Sequence, residues 1–412
     1  MTVGHLIALD DFGGLQTLFL SFAAYASEEG QPPLIINRAK QPPLDIFQTE
    51  LGRNGVESFS PQLKYAAGLA KAVGNISLGK LPGRIESLEF RRSLEQIARR
   101  ERLKGLVSWN GLPWKALVPK NGWLTVYDHG LSSIQRPTRR NRMRMRLSSQ
   151  IICVSRANEA LLREHWGWDG EIHRLMNPLR SAIADTPMRD YPKALADGPI
   201  IVGVASRLMA FKGIASVVHA IKHVRDKGYD VKLQIAGEGP ELENLQTTTD
   251  KLELSEHVEF RGLVSDMGEF LNGVHVFVAA SIREPFGLSP LEALALSIPT
   301  VVSAVDGHGD ILPFPEAASM IEPTLSLGEY AKLGSSLNRM PEFVYSPTKG
   351  HLMLPRAIDP EAIAVELGDI IDNYEVAAER AWKAAVAVRD RNSMDAYMNS
   401  FKRLVAGFGA AV

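Results

Sequence analysis

The sequence predicts an α/β protein built from two doubly wound domains, each a parallel sheet covered by helices. Three observations carry that prediction. Short apolar runs alternate with amphipathic helical patterns, as βαβ units require. The alternation runs in two series, separated by a polar stretch at residues 188–199 (MRDYPKALADGP) that carries two prolines and a glycine and looks like a linker. A chain of 412 residues also exceeds what one ordinary hydrophobic core organises.

In the first series, residues 5–11, 33–37, 105–110, 124–129, 150–155 and 171–177 read as buried strands. Amphipathic stretches at 15–29 and 87–104 lie between them. In the second series the strands are 200–206, 231–237, 258–262, 275–281 and 300–305. The clearest helix follows Lys212, with Ile214, Val217, Val218, Ile221 and Val224 on one face. From Pro360 onward the pattern is mainly helical, ending in an amphipathic segment with Tyr397, Phe401 and Leu404. The expected division is 1–190 for the first domain, 195–377 for the second, and 378–412 for a helical segment that crosses back to the first. In such folds ligands sit outside the carboxyl ends of the strands, and two such domains face to face form a central cleft.

Apolar residues make up 45% and charged residues 23%, which excludes disordered, collagenous and coiled-coil classes. The single cysteine, Cys153, permits no intrachain disulfide and points to a reducing compartment. No apolar run is long enough to span a bilayer, and the N-terminus meets Asp10 and Asp11 too early for a signal peptide. A cytoplasmic location is therefore expected. The net charge of −1 hides an asymmetry: residues 1–195 hold 27 Lys and Arg against 18 Asp and Glu (+9), leaving −10 for the remainder. A basic half and an acidic half suggest different partners, although drift between solvated surfaces has the same outcome.

The densest chemical signal lies in the second half. The strand at 200–206 ends in Ser206, Arg207, Leu208, Met209, Ala210, Phe211, Lys212 and Gly213, with Lys212 expected to open the next helix. A helix N-terminus with a guanidinium and an ammonium beside it suits two phosphates. Taken alone, the two cations are equally at home on a solvated loop. A second segment, Glu284-Pro285-Phe286-Gly287-Leu288-Ser289-Pro290-Leu291-Glu292, holds two carboxylates seven residues apart around a turn and a helix start. Gly287 allows close approach of a ligand and offers its N–H, and Glu292 is expected about two turns into the helix. Ala236-Gly237-Glu238-Gly239-Pro240 and Phe260-Arg261-Gly262-Leu263-Val264 end the intervening strands. In a doubly wound sheet these strand ends lie side by side.

In this order the motifs resemble the C-terminal domain of the retaining GT-B glycosyltransferases of family 4, over about residues 199–310. In the first half the resemblance is weaker but ordered: Gly13-Gly14 after the first strand, His129-Gly130 after a middle strand, Cys153-Val154-Ser155 before a helix, then Asn177. The resemblance implies two Rossmann-like domains and assigns roles position by position. Arg207 and Lys212 would bind the donor pyrophosphate. Glu292 would hydrogen-bond the ribose, and Glu284 the hydroxyls of the donor sugar. Phe286, Gly287 and Leu288 would present backbone groups nearby, and the segment from Arg261 to Val264 would border the nucleobase. Gly13 and Gly14 would let the first loop approach phosphates and acceptor, and His129 would sit by the transferred sugar. Three positions depart from the pattern: Ser206 and Pro178 replace glycines, and Gly307-His308-Gly309-Asp310 replaces a Gly-Gly near a later carboxylate. These departures bear on donor-sugar selectivity more than on activity.

The resemblance further implies transfer with retention from a nucleotide-diphosphate sugar to a glycan or glycolipid, in bacterial envelope polysaccharide or lipopolysaccharide assembly. The acceptor would attack the face the diphosphate leaves, with no covalent nucleophile required. Glu284 as such a nucleophile is the competing assignment. Fixed cations do the work of a metal, and the sequence shows neither an Asp-x-Asp loop nor a His/Cys cluster, so no obligatory metal is expected. A strongly basic stretch, residues 136–146 with six arginines, includes Arg139, Arg140, Arg142 and Arg144. Such a cluster suits an anionic membrane surface or a phosphorylated acceptor. Its lack of aromatic residues speaks against nucleic acid, while a solvated helix face is the plainer alternative. Two other functional classes remain: a non-hydrolysing nucleotide-sugar epimerase, which shares the two-domain architecture but would need acid/base carboxylates in place of the two-glutamate pattern, and a catalytically silent nucleotide-sugar-binding protein, against which the intact Arg207, Lys212, Glu284 and Glu292 argue.

Overall fold

A computed structural model of the chain describes residues 2–10, 13–38, 43–56, 58–59, 92, 95–97, 99–113, 122–190 and 198–406. Positions 191–197 of the expected linker, Asp11, and part of the stretch at 87–104, including Arg91, lie outside the described residues. The chain divides into two compact units. The first comprises Met1–Cys153, Arg163–Leu175 and Met398–Val412, and the second Val154–Leu162 and Met176–Tyr397. The observed division is thus interleaved rather than a single break near residue 190, and the last segment joins the first unit at 398 rather than 378.

The first unit holds a seven-stranded sheet of β1 (Val3–Ile7), β2 (Leu34–Asn37), β3 (Ser58–Phe59), β4 (Gly105–Trp109), β5 (Trp123–Asp128), β6 (Gln150–Cys153) and β7 (Ile172–Arg174). The order is β3-β2-β1-β4-β5-β6-β7, with every pair parallel. Every residue of β4 and of β5 is buried. Helices cover both faces of a parallel sheet, so its strands read as continuous apolar runs rather than alternating ones. The helix Gly14–Glu28 buries Leu18, Phe19, Phe22, Ala23 and Ala26. Its aromatic rings meet Trp109, which is fully buried and donates from Nε1 to His5 Nδ1 at 3.1 Å. Phe401 of the helix Met394–Ala406 stacks on His5, with centroids 6.0 Å apart, and meets Phe22 edge-on at 5.3 Å. Burial drives the His5 imidazole down to about 3, so the ring is a neutral member of an aromatic core.

The second unit holds a six-stranded sheet of β8 (Ile200–Ala205), β9 (Val231–Ala236), β10 (Val258–Gly262), β11 (Val276–Ala279), β12 (Thr300–Ser303) and β13 (Ser319–Ile321). Its order is β10-β9-β8-β11-β12-β13, again parallel throughout. A small antiparallel hairpin, β14 (Val344–Ser346) with β15 (His351–Met353), stands apart from the sheet. The helix Ile214–Asp226 buries the five expected residues of its apolar face together with Ala215, Ser216 and Ala220. They pack on Val202, Val204, Leu233 and Ile235 of the sheet. The expected adjacency of the motif-bearing strand ends is observed. In both sheets the strand order reverses once, between β1 and β4 and between β8 and β11. Doubly wound sheets bind ligands at that switch point.

Candidate functional site

Two loops of the second unit leave the sheet at its switch point, one after β8 and one after β11. The first runs through Ser206 and Arg207 into a single 3-10 turn, Ala210–Lys212. Lys212 therefore ends that turn, and Gly213, at φ +69°, caps the helix that Lys212 was expected to open. A Cβ on Gly213 would lie 1.8 Å from the carbonyl oxygen of Ala280, so only glycine fits there. This close approach sets the first loop against the second. The Ile282 N–H donates to Phe211 O at 2.8 Å, and Lys212 Nζ lies 2.5 Å from Glu284 Oε2. Both side chains are mostly buried. Burial pushes the Glu284 carboxyl up, but Lys212 and its other cationic neighbours outweigh this and hold it below the usual range.

The backbone of Glu284 is fixed by the segment after β12. Its N–H donates to Asp306 Oδ2 at 3.0 Å, and its carbonyl accepts from the Gly307 N–H at 2.9 Å. Asp306 also accepts from the Tyr345 N–H at 2.7 Å, and burial raises its carboxyl to about 7 despite both donors. It adopts φ +46°, a conformation a non-glycine residue rarely keeps without such fixation. Asp310, the later carboxylate of the altered motif, is engaged by Arg156, whose Nε lies 2.9 Å from Oδ1.

Glu292 is the fifth residue of the helix Leu288–Ala295, a little over one turn in rather than two. It is fully buried, and both its oxygens are engaged by Arg180, with Nη2 to Oε2 at 2.5 Å and Nε to Oε1. Burial opposes the Arg180 charge, yet the Glu292 carboxylate more than compensates and raises the guanidinium above its usual value. Among the other expected donor residues, Phe286 is buried, and Gly287, at φ +100°, caps the helix that Leu288 begins. Arg261 is exposed and 3.4 Å from Glu259, with Val264 just past the end of the edge strand β10. Arg207 is exposed at the end of β8.

Sequence reasoning passed over three side chains. Arg180 lies three residues beyond Asn177 and 112 residues from its carboxylate partner. Arg283 immediately precedes Glu284, is buried, and stacks over the Phe211 ring at 4.0 Å, with its Nε lacking a partner among the described residues. Burial lowers its pKa, and Asp306 and Glu284 partly oppose that. His308 is one member of the Gly307-His308-Gly309-Asp310 segment that departs from the resembled pattern. The signal for Arg283 was available as a cation beside a motif glutamate; the pairing of Arg180 was not.

In the first unit, Gly13 and Gly14 start the helix after β1, and neither has a positive φ. Their glycine character is therefore not demanded by backbone conformation. His129 follows β5. Its N–H donates to Asn110 Oδ1 at 3.2 Å, and its ring stacks on Trp109 at 5.5 Å and tilts against Tyr127 at 4.1 Å. Burial lowers the imidazole to about 3, so it is neutral, and Nε2 has no partner among the described residues. The basic stretch forms the helix Arg139–Met145, capped by Thr138. It does not present four equivalent charges. Arg144 turns inward and donates to the carbonyls of Pro113 (2.9 Å) and Leu112 (2.7 Å), while Arg142 donates to His165 O at 3.0 Å. Those carbonyls need donors, so the two arginines brace the unit; Arg144 is half-buried, whereas Arg139, Arg140 and the carbonyl-bonded Arg142 are exposed.

The loops after β8 and β11 fall within residues 190–332, which match the family model described as Glycosyl transferases group 1. The matched segment carries Arg207, Lys212, Glu284 and Glu292. Among curated relatives, the chain is 28% identical over 190 residues to the lipopolysaccharide core biosynthesis glycosyltransferase LpsD of Rhizobium meliloti, covering 46% of this chain and 52% of LpsD. It is 31% identical over 152 residues to the capsular polysaccharide biosynthesis glycosyltransferase CapM of Staphylococcus aureus, covering 36% and 38%. The chain thus matches about half the length of LpsD and less of CapM. The fold likeness is more extensive. Anabaena Alr3699/HepE, solved with UDP and glucose, aligns over 98% of this chain and 99% of its own at a TM-score of 0.70 and 17% identity. The sucrose-phosphate synthase of Thermosynechococcus elongatus aligns over the whole of both chains at 0.69 and 17%. The fold is the two-domain α/β fold of the GT-B glycosyltransferases, as the motifs led one to expect. Among the described residues, no helix is long and apolar enough to cross a membrane.

Proposed function

We propose that the chain transfers a sugar from a nucleotide-diphosphate sugar to a glycan or glycolipid acceptor, with retention and without a metal, in bacterial envelope polysaccharide or lipopolysaccharide assembly. The observation that carries this reading is the meeting of Arg207, Lys212, Arg283 and Glu284 at the switch point of the glycosyl transferase segment. The relatives named for lipopolysaccharide core and capsule support the acceptor class.

Breaking the anomeric C–O bond puts negative charge on the leaving diphosphate. Cations already fixed around that position stabilise the charge without reorganising. Arg207 and Lys212 hold the diphosphate, and Lys212 reaches it by exchanging part of its contact with Glu284. Glu284, kept ionised by its cationic neighbours, accepts hydrogen bonds from hydroxyls of the donor sugar. The acceptor hydroxyl attacks from the face the diphosphate leaves, and a phosphate oxygen takes its proton. Glu292 serves the ribose. Both its oxygens already meet Arg180, so the ribose uses lone pairs that the guanidinium leaves over; a carboxylate offers about four.

The test is a panel of UDP-, GDP- and ADP-sugars, scored first by thermal shift and then by turnover with envelope lipid extracts. Ligand at 100 times its Kd should add about 2.7 kcal/mol of stability. Product formed without any acceptor would favour an epimerase, and nucleotide binding without turnover a silent binding protein. Activity is expected to persist in excess EDTA. Complete loss that magnesium reverses would reveal a metal site.

Acceptor and membrane contact, in this reading, fall to Arg139 and Arg140, with the exposed Ile134 and Met143 adding apolar surface nearby in sequence. Replacing both arginines with glutamine should weaken salt-sensitive binding to anionic vesicles about 30-fold, at about 1 kcal/mol per charge near the surface. Nucleotide affinity should not change. Co-sedimentation at low and high salt, paired with nucleotide titration, checks both statements. Wild-type protein that ignores anionic vesicles at low salt would leave a soluble acceptor as the better reading.

A further inference from the structure

His308 lies in the segment Gly307-His308-Gly309-Asp310, which departs from the pattern the motifs resemble, and its imidazole is fully buried beside the Glu284 loop. Nδ1 lies 2.9 Å from the carbonyl oxygen of Ser303 and 3.1 Å from Ser303 Oγ. A carbonyl oxygen can only accept, so Nδ1 carries the proton. Ser303 is itself held, its Oγ donating to Ser281 O at 2.5 Å. Burial lowers the imidazole pKa; Glu284 and the Ser303 carbonyl oppose it without reversing it, so the ring is neutral. Nε2 is then a bare acceptor. It is buried and has no partner among the described residues.

That lone pair lies in a meaningful place. A Cβ on Gly287 would stand 3.5 Å from Nε2 and 2.9 Å from Cδ2, so the ring edge lies against the turn between Glu284 and Glu292. Gly307, next to His308, donates to the carbonyl of Glu284, which couples the ring to that loop. Buried acceptors are ordinarily satisfied, and one left open at a ligand loop calls for a donor from the ligand. Sugars carry such donors in their hydroxyls; a diphosphate at neutral pH presents acceptors and would face the lone pair repulsively.

We infer that His308 is a specificity-determining residue, its Nε2 accepting a hydrogen bond from one hydroxyl of the transferred sugar. The inference rests on the function proposed above and narrows it: the preferred donor is a sugar with a hydroxyl, in one configuration, at the position facing Nε2. A site built to hydrogen-bond a hydroxyl rejects analogues that lack or misplace it.

The experiment uses UDP-glucose, UDP-galactose, UDP-N-acetylglucosamine and GDP-mannose, with free UDP and GDP, on wild type, His308→Gly and His308→Gln. His308→Gly should lower kcat/KM for the best donor about 10- to 100-fold and bring its preference over the other sugars of the same nucleotide close to one. The Kd of the matching free nucleoside diphosphate should stay within about twofold. His308→Gln, which keeps an acceptor, should retain an intermediate preference, and it decides the matter if the glycine variant does not fold. Unchanged sugar preference in the folded variants overturns the inference. So does a parallel loss of diphosphate affinity, since a merely structural histidine would disturb the whole loop. If wild type binds neither diphosphate nor donor, the functional reading fails and takes this inference with it; transfer that ignores His308 sinks the inference alone.

Discussion

Replacing Lys212 with alanine is expected to slow sugar transfer 10- to 1000-fold, and replacing Arg207 to have an effect in the same range. Losing one charge-assisted contact to a developing diphosphate costs about 1.5–4 kcal/mol, and each 1.36 kcal/mol is a factor of ten in rate. The two variants should differ in a second respect. Arg207 is exposed, so its loss should leave stability nearly unchanged. Lys212 neutralises a mostly buried carboxylate, so its loss should also lower the melting temperature and raise the pKa of Glu284. Lys212→Ala with Glu284→Gln should then recover stability but not activity. Steady-state kinetics with the best donor, together with thermal melts, separates these effects. Full activity in both single variants would place the phosphate site elsewhere.

Arg180→Ala is expected to destabilise the second unit by about 3–5 kcal/mol. The carboxylate of Glu292 has no solvent exposure, and removing its bidentate partner leaves a buried charge uncompensated. Replacing both members with apolar residues of similar volume, Arg180→Met with Glu292→Leu, should restore most of that loss, because the pair is held against a large desolvation cost. Thermal melts of the three proteins check the sign of each step. A single variant that melts like wild type would show that water or a rearranged side chain already compensates the glutamate. The double variant should bind nucleotide weakly however well it folds, because the ribose contact proposed for Glu292 goes with it.

The sheets were legible because parallel strands buried on both faces leave long apolar runs, such as Gly105–Trp109 and Ile200–Ala205. Strand ends were read too far, as with 5–11 against Val3–Ile7, because apolar character continues into residues that have already left the ladder. The short strand Ser319–Ile321 and the hairpin at Val344–Ser346 and His351–Met353 escaped notice, since three residues establish no periodicity. The lysine and the two glutamates of the site were legible as spacings at strand ends. Their partners were not: the engagement of Glu292 by Arg180 and of Asp310 by Arg156 joins positions more than 100 residues apart. Arg144 shows the same limit in reverse. A run of arginines reads as surface charge until the carbonyls of Leu112 and Pro113 turn one member inward.

The ring of Phe401 has a consequence for the order in which the protein is made. It completes the aromatic core formed by His5, Phe22, Trp109 and Tyr127, yet it is translated after the whole of the second unit. At roughly 5–20 residues per second, the ribosome needs on the order of 15–60 s to travel from Trp109 to the last helix. Through that interval the nascent first unit holds an unfinished apolar surface, while the second can fold as soon as its own strands emerge. Assembly therefore closes late: the helix Met394–Ala406, which follows the second unit in the chain, completes a core to which β1 contributes His5. Chaperone dependence during synthesis should accordingly concentrate on the N-terminal half.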